Sequence, residues 1–270
     1  MRPDTSPRPA PSPGAGPATP PADPRAALLK DRNFRWMIGG SALSMLGDQF
    51  TLIALPWLVL QMTGDTLVLG TVLALISVPR ALFILIGGAL VDRHSPKQVL
   101  MITKYVNLVL LAALAGLVFA GTLSLWMVYA LSLGIGLATA FSIPAGTAMM
   151  PSVVARTQLQ AANGISLGLR QLTMFLGPLL AGLLIALFGA GDATGGATGT
   201  STHANATGIG MAFALDALSF AVSAWTLSKV QPLTGLAGLS APTAAPQAVL
   251  ASVAQGLGHF WRDTELRTCF

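Results

Sequence analysis

The chain has 270 residues, 53% of them hydrophobic, a mean hydropathy of +0.68 and only 9% charged residues, against roughly 25% charged in an ordinary soluble domain. This composition argues against a soluble globular fold, and the net charge of +5 comes without the basic face and interleaved aromatics of a nucleic-acid binder. One cysteine, Cys269, excludes an internal disulfide, and three histidines far apart in sequence offer no cluster at metal-ligand spacing, so neither metal nor cofactor is expected.

Residues 1–25 hold nine of the 18 prolines. Such a segment cannot bury enough apolar surface to offset its ordering entropy. Residues 1–33 are therefore expected to form a disordered Pro/Ala-rich cytoplasmic tail. The stretch lacks the apolar run and small-residue cleavage site of a signal peptide.

Six apolar segments then follow, at about 36–62, 66–91, 98–120, 123–147, 164–189 and 209–229. Each is long enough for the ~20 residues that cross a bilayer core as helix. The expectation is an all-α membrane protein with a six-helix bundle over residues 34–231. Pro56, Pro79, Pro144 and Pro178 lie inside these segments and are tolerated in membrane spans, where neighbouring groups satisfy the freed carbonyls. The short connections at 63–65 and 121–122 predict antiparallel hairpins.

Twelve of the fifteen Lys and Arg residues lie before the first span, between the second and third, between the fourth and fifth, or at and beyond the end of the sixth. The connections at 63–65, 121–122 and 190–208 carry none. The positive-inside rule then places both termini in the cytoplasm. The loop at 190–208, mostly Gly, Ala and Thr, is expected to be an unstructured external loop. It includes Asn205-Ala206-Thr207, an N-glycosylation pattern read as a chance match. Residues 232–270 read as a cytoplasmic linker, with an amphipathic helix over 247–261.

Four spans carry polar stripes at helical spacing: Ser41, Ser44, Asp48 and Thr51 in the first; Ser132, Gly136, Thr139 and Ser142 in the fourth; Asn163, Ser166, Arg170, Thr173 and Gly177 in the fifth; Asp216, Ser219, Ser223 and Thr226 in the sixth. Small polar residues also permit close helix packing. Packing is the expectation for the fourth and sixth spans, and a watery cavity for the charged stripes of the first and fifth. Three basic residues, Arg80, Lys104 and Arg170, lie within spans. Asp48 and Arg80 sit at matching depth, about 18 to 20 Å in from the basic side at 1.5 Å per residue. On consecutive antiparallel helices they are expected to pair, either as a static structural bridge or in one state of a cycle that frees Asp48 for a proton or a cationic substrate in another, with Asp216 as a competitor for Arg80. The intramembrane charges Asp48, Arg80, Arg170 and Asp216 are thus the candidate substrate or ion pathway. No phosphate loop, zinc-protease motif or serine elbow appears, so no enzyme is expected; a membrane-embedded hydrolase would have to rely on Asp48 with Asp216.

The connection Gly88-Ala89-Leu90-Val91-Asp92-Arg93-His94-Ser95-Pro96-Lys97-Gln98-Val99-Leu100 resembles the signature loop between spans two and three of the major facilitator superfamily. Gly88, Leu90, Asp92, Arg93, Lys97 and Leu100 match, while Ser95 and Pro96 depart from its Gly-Arg pair. Leu46-Gly47-Asp48, Ala54-Leu55-Pro56-Trp57, Ala161-Ala162-Asn163-Gly164 and Gly177-Pro178-Leu179-Leu180-Ala181-Gly182 are similar to the branch of enterobactin exporters and macrolide efflux proteins. The last segment resembles the helix-packing motif of antiporters in Gly177, Pro178 and Gly182, with Ala181 in place of a glycine. Ala130 stands where spacing would place the arginine of proton-coupled drug exporters, a departure from their usual coupling arrangement.

The resemblance implies the N-terminal half of a twelve-span secondary transporter that binds substrate at the midplane between two halves. Its cargo would be an amphiphilic small molecule such as a drug or siderophore, exported across the cell membrane with protons as a possible coupling ion. Gly88, Asp92, Arg93 and Lys97 would form the cytoplasmic gate. Phe260-Trp261-Arg262-Asp263-Thr264 resembles the approach to a seventh helix, so the sequence is expected to be truncated before its second half. A half-protein without transport activity is the alternative.

Overall fold

The computed structural model describes residues 24–93, 95–189 and 201–231. A short helix α1 (Pro24–Lys30) precedes six long ones: α2 (Arg32–Thr63), α3 (Thr66–Arg93), α4 (Pro96–Ala120), α5 (Leu125–Val153), α6 (Leu159–Gly189) and α7 (Ser201–Lys229). All six are long and apolar enough to cross a membrane. Among the described residues no strand occurs, so the fold is the expected all-α six-helix bundle.

Local chemistry sets the helix ends. The Asp31 carboxylate accepts hydrogen bonds from the Asn33 and Phe34 amides at 2.7 and 3.3 Å, which satisfies two of the orphan donors that open α2. Gly64 (φ 65°) and Gly121 (φ 66°) end α2 and α4 in the left-handed conformation, where a side chain would be strained. The Asp65 carboxylate then accepts from the Leu67 amide at 2.8 Å and starts α3. Pro56, Pro79, Pro144 and Pro178 all lie inside unbroken helices.

Two boundaries differ from expectation. The tail expected to run to residue 33 gives way at Pro24 to α1, because Leu28 is buried at 1% exposure in a cluster with Phe34, Met149 and Val230. The loop expected over 190–208 is helical from Ser201 onward. Ile209 and Phe213 anchor α7 by full burial, no proline interrupts residues 201–229, and each residue added upstream gains a backbone hydrogen bond. Residues 1–23, 190–200 and 232–270, with the rest of the tail and the amphipathic helix expected over 247–261, lie outside the described residues.

Consecutive helices are not the main partners. α3 packs along α5, while α7 packs along both α2 and α4; α4 also meets α5, and α6 lies against α2 and α7. The pair α2–α6 and the pair α3–α5 make few direct contacts with each other, and α4 and α7 join them.

The interior is layered. One apolar cluster joins Leu28, Phe34, Met37, Met149, Val153 and Leu227 at the end rich in basic residues. Another joins Leu55, Val59, Leu111, Leu114, Ile209 and Phe213 toward the opposite end. A polar band lies between them, where Ser44, Lys104, Asn107, Asp216, Ser219 and Ser223 are all buried. The outer surface is apolar: Phe175, Leu67 and Val109 are 77%, 75% and 65% exposed, which is stable only against lipid or another apolar body. Trp36 and Trp225 stack edge to face at 5.3 Å near the basic end, with Lys229 Nζ 5.8 Å from the Trp225 ring. Trp57 and Trp126 are exposed toward the other end. Trp36 and Trp57 are 21 residues apart on α2, about 32 Å of helix. That separation matches a ~30 Å hydrocarbon core between two aromatic girdles.

Candidate functional site

Asp48 lies 12 residues beyond Trp36 and nine before Trp57, about 18 and 14 Å from the two girdles and so near the bilayer midplane. It is exposed, as are Arg80 on α3 and Arg170 on α6. The expected ion pair is not formed. Among the described residues no Lys or Arg nitrogen lies within 4.0 Å of an Asp or Glu oxygen. The physical reason is the packing order: α3 turns its buried side, Val72 and Ile76, toward the interior it shares with α5 and meets α2 only sparsely.

Asp216 is fully buried on α7, with its carboxylate facing α2. It accepts hydrogen bonds from Thr51 Oγ1 at 2.5 Å and from Ser219 Oγ at 3.3 Å. Its partners are hydroxyls, and it forms no ion pair with Arg80. The stripe of the sixth span is thus a buried polar seam that packs tightly and also holds a carboxyl group.

Lys104 is the group that stripe-reading overlooked. It is 7% exposed on α4, and its Nζ donates to Ser223 Oγ at 2.6 Å and Ser44 Oγ at 3.2 Å while standing 5.6 Å from the Phe220 ring centroid. Ser223 Oγ in turn donates to the Gly40 carbonyl at 2.7 Å. Three helices are thereby joined through one ammonium. The sequence signal was present: Thr103, Lys104 and Asn107 break the apolar run of α4 at helical spacing, yet α4 was not among the striped spans.

The stripe of the fourth span is a packing surface. Gly136 lies against the backbone of Ile76, and Thr139 and Ser142 donate to the carbonyls of Ile135 and Thr139 at 2.7 and 3.2 Å. On α6, Thr173 bonds its own helix at Leu169, Gly177 receives the Gln49 side chain, and Pro178 and Gly182 are exposed. Asn163 is also exposed, and Ser166 Oγ is buried without a partner.

At the basic end, Lys97 of the signature loop donates to the carbonyls of Val230 and Ser228 at 2.6 and 3.3 Å. A cation at the negative end of the α7 dipole is stabilising. Asn33 and Gln231 exchange two hydrogen bonds beside it, at 3.1 and 3.2 Å. The Gly88, Asp92 and Arg93 positions belong to the α3 backbone, but their side chains, and His94, lie outside the described residues.

The profile of the transmembrane secretion effector family matches residues 24–200. The chain belongs to this family, within the major facilitator superfamily. It resembles the macrolide and multidrug efflux branch. The multidrug efflux pump Tap of Mycobacterium tuberculosis is 30% identical over 236 residues, covering 82% of this chain and 49% of that protein. Tap of Mycolicibacterium fortuitum is 30% identical over 232 residues, covering 82% of this chain and 50% of its own length. Macrolide efflux protein A of Streptococcus pyogenes is 28% identical over 149 residues, covering 55% of this chain and 37% of that protein. The chain spans half or less of the length of these relatives, all of which are named as transporters rather than enzymes.

Proposed function

We propose that the chain forms the N-terminal six-helix half of a secondary exporter of amphiphilic small molecules, with Asp48 as the midplane group that takes a proton or a cationic substrate. The observation that carries this reading is the exposure of Asp48, Arg80 and Arg170 on helices built to lie in lipid. A charge exposed to hydrocarbon at mid-membrane costs at least ~2.5 kcal/mol on insertion scales. These faces therefore belong against protein or a water-filled path. The names of the efflux pumps that the chain resembles support the same direction of transport.

Both termini are proposed to be cytoplasmic, on the distribution of basic residues. Asp92 and Arg93 are proposed to close the cytoplasmic side by engaging a second half, with Lys97 holding their loop to the end of α7. Alternating access then follows from rocking of one six-helix body against the other around Asp48. Protons serve as the coupling ion, since a carboxylate at the midplane can carry a proton in one direction and a cation in the other.

The experiment is efflux of tetraphenylphosphonium, a lipophilic monocation, from cells expressing the intact protein. Expression should lower accumulation, and a protonophore should abolish the difference. Accumulation unchanged by expression, with the protein present in the membrane, would contradict the proposal.

A further inference from the structure

Lys104 requires an account that transport by Asp48 alone does not supply. A buried ammonium is costly unless it is matched by charge and hydrogen bonds. Here the hydrogen bonds come from Ser44 and Ser223, both neutral, and among the described residues no carboxylate lies within 4.0 Å. The Ser44 hydroxyl that the ammonium meets lies on α2, and the acidic residue one turn farther along that helix is Asp48. The fixed partners of the buried carboxylate, Asp216, are the hydroxyls of Thr51 and Ser219.

The helix register makes the relation between Lys104 and Asp48 close. Ser44 and Asp48 are four residues apart on α2, so they share a face one turn apart. α2 and α4 run parallel, being two hairpins apart in the order of helices. One turn beyond Lys104 in the same direction stands Asn107, 3% exposed, whose Oδ1 is buried without a hydrogen-bond partner. An unmet buried acceptor is unfavourable. The ammonium thus sits on a hydroxyl station, with a carboxylate and an open carbonyl oxygen one turn farther on.

We propose that Lys104 is the built-in counter-ion of Asp48, and that a cation arriving at Asp48 takes its place at the carboxylate. With no cation at Asp48, the flexible lysine stem lets the ammonium move toward Asp48 and Asn107. With a cation at Asp48, the ammonium rests on Ser44 and Ser223, and like-charge repulsion is limited by the separation. Lys104 is a positioning residue in this scheme: it keeps Asp48 ready for a monocation without touching the cargo.

The test uses the intact protein extracted in detergent. Lys104→Met leaves Asp48 without its counter-charge, so the yield of folded, monodisperse protein should fall at least threefold. Adding Asp48→Asn to Lys104→Met removes the unmatched charge and should restore that yield, a result readable even where the single variant does not fold. Failure of Asp48→Asn to restore it, or restoration by Asp216→Asn in its place, would overturn the assignment.

The second readout is equilibrium binding of tetraphenylphosphonium. Displacement requires Lys104→Gln to tighten its Kd about tenfold, within the usual range of coupling between two sites, while Lys104→Arg, which keeps the charge, should not tighten it. A Kd left unchanged by Lys104→Gln would overturn displacement. This part rests on the proposed role of Asp48 in cation binding. Binding indifferent to Asp48→Asn would defeat that role and displacement with it, whereas the yield experiment decides separately whether Lys104 is the counter-ion.

Discussion

The Asp216 carboxylate reaches α2 because residue 47 is glycine. A Cβ at Gly47 would run into the side chains of Asp216 and Ser219, and Thr51, one turn farther on, donates the hydrogen bond that holds the carboxylate. Gly47→Ala is therefore expected to push α7 from α2 and lower stability by about 1 to 3 kcal/mol, as overpacking does. Gly39 on the same helix has nothing within 4 Å of such a Cβ. Gly39→Ala should be neutral or stabilising. Thermal unfolding of the two variants in detergent checks the contrast, and equal behaviour would contradict it.

The seam between α3 and α5 depends on Gly136 in the same way, but against backbone. A Cβ there would stand 2.6 Å from the Ile76 carbonyl oxygen and 2.8 Å from its Cα, and backbone cannot rotate aside as a side chain can. Gly136→Ala should accordingly cost about as much as Gly47→Ala or more, whereas Gly146→Ala, with open space around it, should not. Unfolding temperatures again decide.

Lys97 joins the loop after α3 to the end of α7. Lys97→Met removes two charge-assisted hydrogen bonds to carbonyls and a favourable interaction with the helix dipole, together about 1 to 2 kcal/mol at a partly exposed site. Hydrogen exchange should show faster exchange in the last turn of α7 in this variant, with the α2–α4–α7 seam unchanged. Unaltered exchange at residues 226–231 would count against the latch.

Orientation is tested by cysteine labelling in a Cys269→Ser background. Cysteine at Thr198 should react with an impermeant thiol reagent in intact cells, and cysteine at Ser95 should react only after permeabilisation. The reverse pattern would invert the topology.

The spans were legible because a bilayer imposes a length and a polarity that composition alone reveals. The connections at 63–65 and 121–122 were legible for an equally local reason, and each holds a glycine whose left-handed backbone ends the helix. Partner choice was not local. Short turns made α2 and α3 sequence neighbours, and equal depth suggested that Asp48 meets Arg80, but ridge packing joins α2 to α7 and α3 to α5. Periodicity names the face that a helix buries without naming the helix that covers it. The role of Lys104 was not legible for a related reason: a lysine eight residues into a span has no visible partner until Ser44 and Ser223, 60 and 119 residues away, are brought beside it.

The central claim is that Asp48 is the cation-binding group at the midplane. The most direct measurement is equilibrium binding of tetraphenylphosphonium to the purified intact protein and to its Asp48→Asn and Asp48→Glu variants. The account predicts that Asp48→Asn weakens the Kd at least about tenfold, the order expected when a charge-assisted contact in a partly desolvated site is removed, and that Asp48→Glu retains most of the affinity. A Kd for Asp48→Asn equal to that of the unaltered protein, with both equally folded, would contradict it.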